Sequence, residues 1–149
     1  MEKTASVREK EEAAACALLG AELLFLGRID REVFADEPLA RDVAETIRRL
    51  RPAAVFTHWP VDNHPDHCAV AETVQKAAFL AELPLDIVYV EEGPHQTRLF
   101  EPDAYVDISD EIEAKLAAIR CHVCQNPDDR MAQTFLQKAQ MRGRECGVA

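Results

Sequence analysis

Two histidines three residues apart carry the clearest chemical signal in this sequence. They are His64 and His67, and they lie in the segment DNHPDH at residues 62–67. Imidazole nitrogens bind transition metals and exchange protons near neutral pH. A spacing of three residues places both rings on one face of a helix. The pair predicts half of a metal-hydrolase active site, because a catalytic zinc needs about three protein ligands.

The same segment is placed where a helix begins. A buried strand is predicted at residues 53–57, and Pro65 is suited to the first helical position, where no backbone hydrogen bond is lost. The free N–H groups and the dipole at a helix N-terminus favour an anion or a polarised oxygen. The alternative is a helix N-terminus with two exposed histidines on a polar loop and no ligand.

Apolar periodicity predicts strands that alternate with helices. The predicted strands cover residues 22–26, 53–57, 85–90 and 104–108. The predicted helices cover residues 7–19, 38–49, a stretch from Pro65 to about Pro84, a segment capped by Ser109, and a last segment from Asp128 or Asp129 to Gly143. This order indicates βαβ units, and therefore an α/β protein with a mostly parallel sheet and helices on both faces.

Polar side chains follow three of the predicted strands. His64 and His67 follow one strand, Asp30 follows another, and Glu91 and Glu92 follow a third. In open parallel sheets the ligand binds beyond the carboxyl ends of the strands, so the fold and the candidate site agree. Acidic residues in such loops also cap them without binding anything, and that alternative stays open for Asp30 and Asp62.

Composition narrows the class of partner. The formal net charge of −10 disfavours DNA, RNA and polyanionic substrates, because little would neutralise their phosphates or carboxylates. No apolar run is long enough to span a bilayer, and the amino-terminal segment is charged rather than signal-like. We therefore expect a cytoplasmic protein with a small-molecule substrate, no nucleic-acid partner and no membrane span.

The five cysteines form an odd set, which favours a reducing compartment over a disulfide framework. Cys16, Cys68 and Cys146 are interpreted as buried small hydrophobic residues. Cys121 and Cys124 form a Cys-x-x-Cys pair, the spacing of redox motifs and of half a zinc knuckle. No second Cys/His pair accompanies it at a suitable spacing, so a structural role is the favoured interpretation.

The order of these segments resembles the LmbE-like, or PIG-L, family of zinc-dependent N-deacetylases. Besides HPDH, the likeness covers an Arg-x-x-Glu helix with Arg8 and Glu11, and a strand-end loop that closes with Asp30. It continues through YVDIS at residues 105–109, HVCQ at residues 122–125, and RGRECG at residues 142–147. Cys124 stands where the family usually has serine.

The resemblance implies a Rossmann-like three-layer α/β sandwich, formed by one LmbE-like deacetylase domain over residues 1–149. It implies hydrolysis of the acetamido group of an N-acetylglucosamine-type conjugate with Zn²⁺ as cofactor. By resemblance His67 is a metal ligand, His64 stabilises the oxyanion or protonates the leaving amine, and Asp66 orients one of the rings. The remaining pocket residues, assigned to substrate binding, are Asp30, His58, Asp62 and His122.

One departure from the family pattern is large. The Ala-His-Pro-Asp-Asp-Glu segment, which in the family supplies two metal ligands and the carboxylate that activates water, is absent from this sequence. We therefore expect a domain incomplete at both ends, without its first strand or strands, that binds zinc weakly and is inactive or nearly so. A non-catalytic sugar-binding or remnant protein is the alternative. An unpaired sheet edge would also favour a homo-oligomer.

Overall fold

A computed structural model of the chain describes residues 2–93 and 96–148. The helices are α1 (Glu2–Leu19), α2 (Glu37–Leu50), α3 (Pro65–Ala81), α4 (Ile112–Arg120) and α5 (Arg130–Cys146). The strands are β1 (Ala54–His58) and β2 (Asp86–Val90), and a short 3₁₀ turn covers Ser109–Glu111. In the part of the chain that the structure describes, no helix is both long and apolar enough to cross a membrane.

The chain divides into two compact units. The first combines Met1–Phe25 with Pro102–Ala149, and the second is Leu26–Glu101. In the first unit, α1 packs on α4 and α4 packs on α5. That all 149 residues form a single domain stays a prediction.

The second unit contains a β1–α3–β2 arrangement. The two strands pair in parallel, in a register that runs from Ala54 opposite Asp86 to His58 opposite Val90. Helix α3 packs on β1, and α2 packs on α3. The predicted α/β class with a parallel sheet is confirmed. Because the strands are parallel, His58 and the residues after Val90 lie at the same carboxyl end of the sheet.

A cluster of small side chains joins α2 to α3. Ala44 and Ala77 are fully buried, and Ile47 and Ala81 are each 4% exposed. Alanine brings the two backbones close together, and burial of the Ile47 side chain contributes about 2 kcal/mol. Asp36 caps α2 by accepting the Leu39 N–H at 2.8 Å. This packing fixes the helix that carries His67.

Two predicted strands are wrong. Residues 21–29 and 100–108 form no regular structure, although residues 22–26 and 104–108 were expected to be strands. Leu24 is 46% exposed, Phe25 is 59% exposed and Val106 is 81% exposed. An apolar run becomes a strand only when a neighbouring strand accepts its backbone hydrogen bonds, and among the described residues neither run pairs with a strand.

Two predicted helix boundaries are also wrong. Ser109 does not cap α4; it lies in the 3₁₀ turn, where its N–H and hydroxyl both donate to Asp107 Oδ1 at 2.9 and 2.6 Å. Gly143 does not end α5, which continues to Cys146. The helix closes instead at Gly147, whose φ of 81° suits glycine and whose N–H donates to the Gly143 carbonyl.

The cysteines are free thiols throughout. Cys16 and Cys68 are partly buried, in line with the expected packing role. Cys146 is exposed, so its predicted burial is wrong. It lies in the last turn of α5, where its thiol donates to the Gly143 carbonyl at 3.3 Å.

Candidate active site

The second unit gathers the histidine pair around one buried carboxylate, that of Asp62. This side chain is 1% exposed. Its Oδ1 accepts the His64 backbone N–H at 2.7 Å, and its Oδ2 accepts the Thr97 hydroxyl at 3.1 Å. Burial alone raises the pKa of Asp62, but these hydrogen bonds and the nearby His67 together lower it below its usual value. Asp62 is therefore an ionised acceptor within the site.

Asp62 also sets the orientation of His67, which lies in the first turn of α3. The Nδ1 atom of His67 is 3.3 Å from Asp62 Oδ1. Because a carboxylate only accepts, Nδ1 carries the ring proton and Nε2 carries the lone pair. The Gln96 amide also lies beside the ring, with its nitrogen 3.2 Å from Nδ1. A carboxylate behind a histidine is the usual support of a metal ligand.

His64 is the N-cap of α3 and presents the opposite tautomer. Its Nδ1 accepts the backbone N–H of Asp66 at 3.3 Å. The proton of the neutral ring therefore lies on Nε2, which can donate. The ring stacks near His67, with centroids 4.7 Å apart and planes 20° apart. The site thus offers a lone pair from His67 beside a hydrogen-bond donor from His64.

Asp66 ties the helix start to the loop that carries Asp30. The Asp66 side chain is buried, and its Oδ2 accepts the Arg31 N–H at 2.6 Å. Arg31 has a φ of 67°, a strained conformation for a residue with a side chain. This bond holds Asp30 next to Asp66 and His64, and ligand atoms of all three lie within 4.8 Å of one another. The second oxygen of Asp66, Oδ1, is buried without a hydrogen-bond partner in the described structure.

His58 joins the site from the end of β1. Its ring stacks on His67 with centroids 3.9 Å apart and planes 6° apart. Its Nδ1 is 3.0 Å from Oε1 of Glu92, which follows β2. The structure therefore brings His58, Asp62, His64, Asp66, His67 and Asp30 together within the second unit.

His122 belongs to the first unit, where its Nε2 is 3.7 Å from Glu12 Oε2. The same unit ties α1 to the segment after α4: Glu11 accepts the Cys124 backbone N–H and its thiol, each at 2.8 Å. The role of His122 in substrate binding stays a prediction. No disulfide joins Cys121 to Cys124.

Sequence analysis missed two residues of the site, Gln96 and Thr97. An isolated antiparallel bridge pairs Thr97 with Asp62, 35 positions away, and the neighbouring Gln96 side chain lies beside His67. Neither residue belongs to a recognisable motif. Only the polar character of the segment after β2 gave any signal.

Comparison with known proteins identifies the family of the chain. Residues 1–78 match the family model described as PIG-L: GlcNAc-PI de-N-acetylase, which is more than half of the 149 residues. The chain belongs to the PIG-L family. The predicted resemblance is confirmed, and it covers the HPDH segment from which the site is built.

Two relatives of this PIG-L family chain are enzymes of different reaction classes. The chain is 30% identical over 136 residues to the diacetylchitobiose deacetylase of Thermococcus kodakarensis, and the match covers 82% of the chain and 51% of that enzyme. It is 30% identical over 132 residues to the 4-oxalmesaconate hydratase of Pseudomonas putida, covering 80% of the chain and 51% of that enzyme. The chain thus spans about half the length of these curated relatives.

Solved structures show the same fold. The conserved protein TT1542 of Thermus thermophilus matches with a TM-score of 0.83 and 27% identity, over 96% of this chain and 69% of that one. The 4-carboxy-2-hydroxymuconate hydratase GalB of Pseudomonas putida matches with a TM-score of 0.83 and 25% identity, over 97% of this chain and 64% of that one. The fold of the PIG-L family chain is therefore LmbE-like.

Proposed function

We propose that this chain belongs to a zinc-dependent hydrolase that removes the acetyl group from an N-acetylated amino sugar conjugate of the N-acetylglucosamine type. The observation that carries the proposal is the complementary arrangement of the histidine pair. Asp62 leaves the Nε2 lone pair of His67 available to a metal, and the α3 cap leaves a donor on His64 beside it. Family membership and the deacetylase relative support it.

The donor atoms suit zinc, which prefers imidazole nitrogen and carboxylate oxygen at a tetrahedral site. His67 would hold the ion, supported by the ionised Asp62 behind its ring. When bound, the ion acidifies a water molecule and polarises the acetamide carbonyl. The carboxylate of Asp62 keeps the ring in the tautomer that binding requires, and it does so before any ion arrives.

His64 supplies the second requirement of amide hydrolysis, which is a donor for the oxyanion. Its Nε2–H is fixed by the hydrogen bond from the Asp66 N–H to Nδ1. The N-terminus of α3 adds a partial positive charge at the same place. A fixed donor is effective because it does not have to reorganise when the negative charge forms.

The charge around the site favours a neutral sugar over a tricarboxylic acid as substrate. Asp30, Asp62, Asp66 and Glu92 surround the histidine pair, and the whole chain has a formal charge of −10. An anion such as the substrate of a muconate-type hydratase would be repelled, whereas a neutral amino sugar would not. We further propose a homo-oligomer that works in the cytoplasm.

The test is an assay of acetate release from diacetylchitobiose by the natively expressed protein loaded with zinc, with hydration of 4-oxalmesaconate measured in parallel. We expect at most slow acetate release, because the segment that supplies the water-activating carboxylate in the family is absent from the sequence. We expect His64→Ala to lower kcat by a further factor of about 10²–10³ because it removes an oxyanion donor. Glu72→Gln, an exposed change on the same helix, is the matched control. Hydration without acetate release would overturn the proposal, and sugar binding without turnover would favour a non-catalytic sugar-binding protein.

A further inference from the structure

Two side chains that the family resemblance does not assign to the metal converge on His67. His58 is the last residue of β1, and Glu92 is the second residue after β2. The parallel register, which places His58 opposite Val90, brings His58 and Glu92 to the same carboxyl end of the sheet. Ligand atoms of His58, His67 and Glu92 all lie within 4.8 Å of one another.

The contact between His58 and Glu92 lacks the geometry of a hydrogen bond. His58 Nδ1 is 3.0 Å from Glu92 Oε1, yet this buried nitrogen has no hydrogen-bond partner among the described residues. Two ligands bound to one zinc at 2.0–2.1 Å in a tetrahedron lie about 3.3 Å apart without pointing at each other. A close but misaligned nitrogen and oxygen are therefore what a shared ion would require.

His67 completes the set. Its Nδ1 is engaged by Asp62, which leaves Nε2 as its ligand atom. The lone pairs of an imidazole lie in the plane of its ring. The stacked rings of His58 and His67, with centroids 3.9 Å apart, can therefore bind one ion together only if one ring tilts. His58 is the ring that would turn, because Asp62 and Gln96 hold His67 while no hydrogen bond of the described residues holds Nδ1 of His58.

We propose that His58, His67 and Glu92 form a three-ligand site for a divalent transition metal, supplied entirely by residues 26–101. The proposal rests on the proposed function for the placement of the metal at His67. It adds His58 and Glu92 as two ligands that the family resemblance did not supply. Two imidazoles and one carboxylate select zinc or cobalt over calcium or magnesium, which prefer oxygen ligands. The site revises the expectation that this chain binds zinc weakly for want of ligands.

A second cluster, Asp30 with His64 and Asp66, competes for the same assignment. Its Asp66 Oδ1 is buried and unpartnered in the described structure, but two of its other atoms are engaged. His64 Nδ1 accepts a backbone N–H, and Asp66 Oδ2 accepts the Arg31 N–H. With Nδ1 engaged and the proton on Nε2, neutral His64 has no nitrogen to offer, so the first cluster is the stronger candidate.

The test is a cobalt(II) titration of the chelator-treated full chain, monitored by visible absorption and by fluorescence of Trp59. Trp59 is the single tryptophan of the sequence and is adjacent to His58, so a paramagnetic ion at the site should quench it. We expect one ion per chain with the absorption of a four- or five-coordinate site. We expect His58→Gln and Glu92→Gln each to weaken binding at least about 10-fold. Glu72→Gln is the control, and circular dichroism checks that each variant folds.

Different results separate this inference from the proposed function. Wild-type cobalt affinity that survives both His58→Gln and Glu92→Gln but falls in Asp30→Asn would overturn the inference and assign the ion to the second cluster. Absence of cobalt binding by the folded wild type would overturn it as well. Cobalt binding that depends on His58 and Glu92 would support the inference even if acetate release failed, which would count against the proposed function alone.

Discussion

Glu11 and Cys124 show how a single carboxylate controls a thiol in the first unit. Glu11 accepts both the backbone N–H and the thiol of Cys124. These hydrogen bonds lower the pKa of Glu11, and the bond to Glu11, with burial and its negative charge, raises the pKa of Cys124. A serine hydroxyl could make the same contact, in keeping with the serine that the family usually has. A structural role for this pairing stays the favoured interpretation.

Glu11→Gln should accelerate alkylation of Cys124. The neutral amide no longer opposes the thiolate, so the thiol pKa falls and the reactive fraction at pH 8 rises. Iodoacetamide labelling at limiting times, followed by peptide mass spectrometry, should show Cys124 reacting slowly in the wild type and several-fold faster in the variant.

Glu9→Gln, an exposed change on the same helix, should leave the labelling rate of Cys124 unchanged. An unchanged rate in Glu11→Gln would show that the carboxylate does not control the thiol. Fast wild-type labelling with ready formation of a Cys121–Cys124 disulfide would instead revive the redox interpretation.

At the scale of elements, an ion pair joins the end of α4 to the start of α5. Arg120 donates to both carboxylate oxygens of Asp129, at 2.9 and 3.0 Å. Hydrogen bonds from Arg120 and then from Gln133, together with the charge of Arg120, hold the pKa of Asp129 far below its usual 3.8. The folded protein therefore binds a proton at Asp129 less readily than the unfolded chain does.

Asp129→Asn should lower the thermal midpoint near pH 7 and matter less as the pH falls. A depressed folded pKa stabilises the protein above the unfolded pKa of about 3.8, and this contribution disappears as the pH drops through the folded pKa. Asparagine tolerates the left-handed backbone at this position, where φ is 59°, so the backbone should be kept. Thermal unfolding of both proteins from pH 7 to pH 2 measures the difference.

Asp128→Asn is the matched control, because Asp128 pairs with Arg130 two residues away and both side chains are largely exposed. Its midpoint should stay near that of the wild type at every pH. A gap between wild type and Asp129→Asn that is constant from pH 7 to pH 2 would rule out ionisation of Asp129 as the cause.

Helices were predicted better than strands because a helix carries its own hydrogen bonds. The stripe with Leu39 and Ile47 located α2, and the alternation of apolar runs located β1 and β2. The runs at 22–26 and 104–108 looked equally apolar, but their state depends on partners that a local pattern does not contain. The prediction that Gly143 ends α5 was wrong for a related reason. The helix tolerates a glycine at that position and ends where Gly147 adopts a positive φ.

The candidate site was likewise predicted only where its features are local in the sequence. His64 and His67 were identified because their spacing and the following helix are local properties. The support of His67 by Asp62 and Gln96, and the approach of Glu92 to His58, depend on loops that join distant positions. Asp62 was predicted to bind substrate; its burial favours a role in holding His67, and substrate contact stays a prediction.

At the scale of the whole molecule, the two-stranded sheet leaves strand edges open. Among the described residues β1 and β2 pair only with each other, so each has one unpaired edge. Phe56 on β1 is 69% exposed, whereas the next residue, Thr57, is 5% exposed. Open edges with exposed apolar side chains favour pairing between chains.

The 149-residue chain should therefore self-associate, and Phe56→Lys should shift it toward the monomer. A lysine on an open edge strand disfavours pairing of that strand with another chain, while the backbone pairing of β1 with β2 is untouched. Sedimentation equilibrium over a range of micromolar concentrations measures the distribution. Phe79→Lys on α3, where the side chain is 83% exposed, is the control: it removes an equally apolar group away from the sheet and should leave association unchanged.

A wild type that stays monomeric and thermally stable would show that this sheet needs no partner. Equal dissociation by both substitutions would place the contact outside β1, because general surface charge, rather than the open strand, would then govern association.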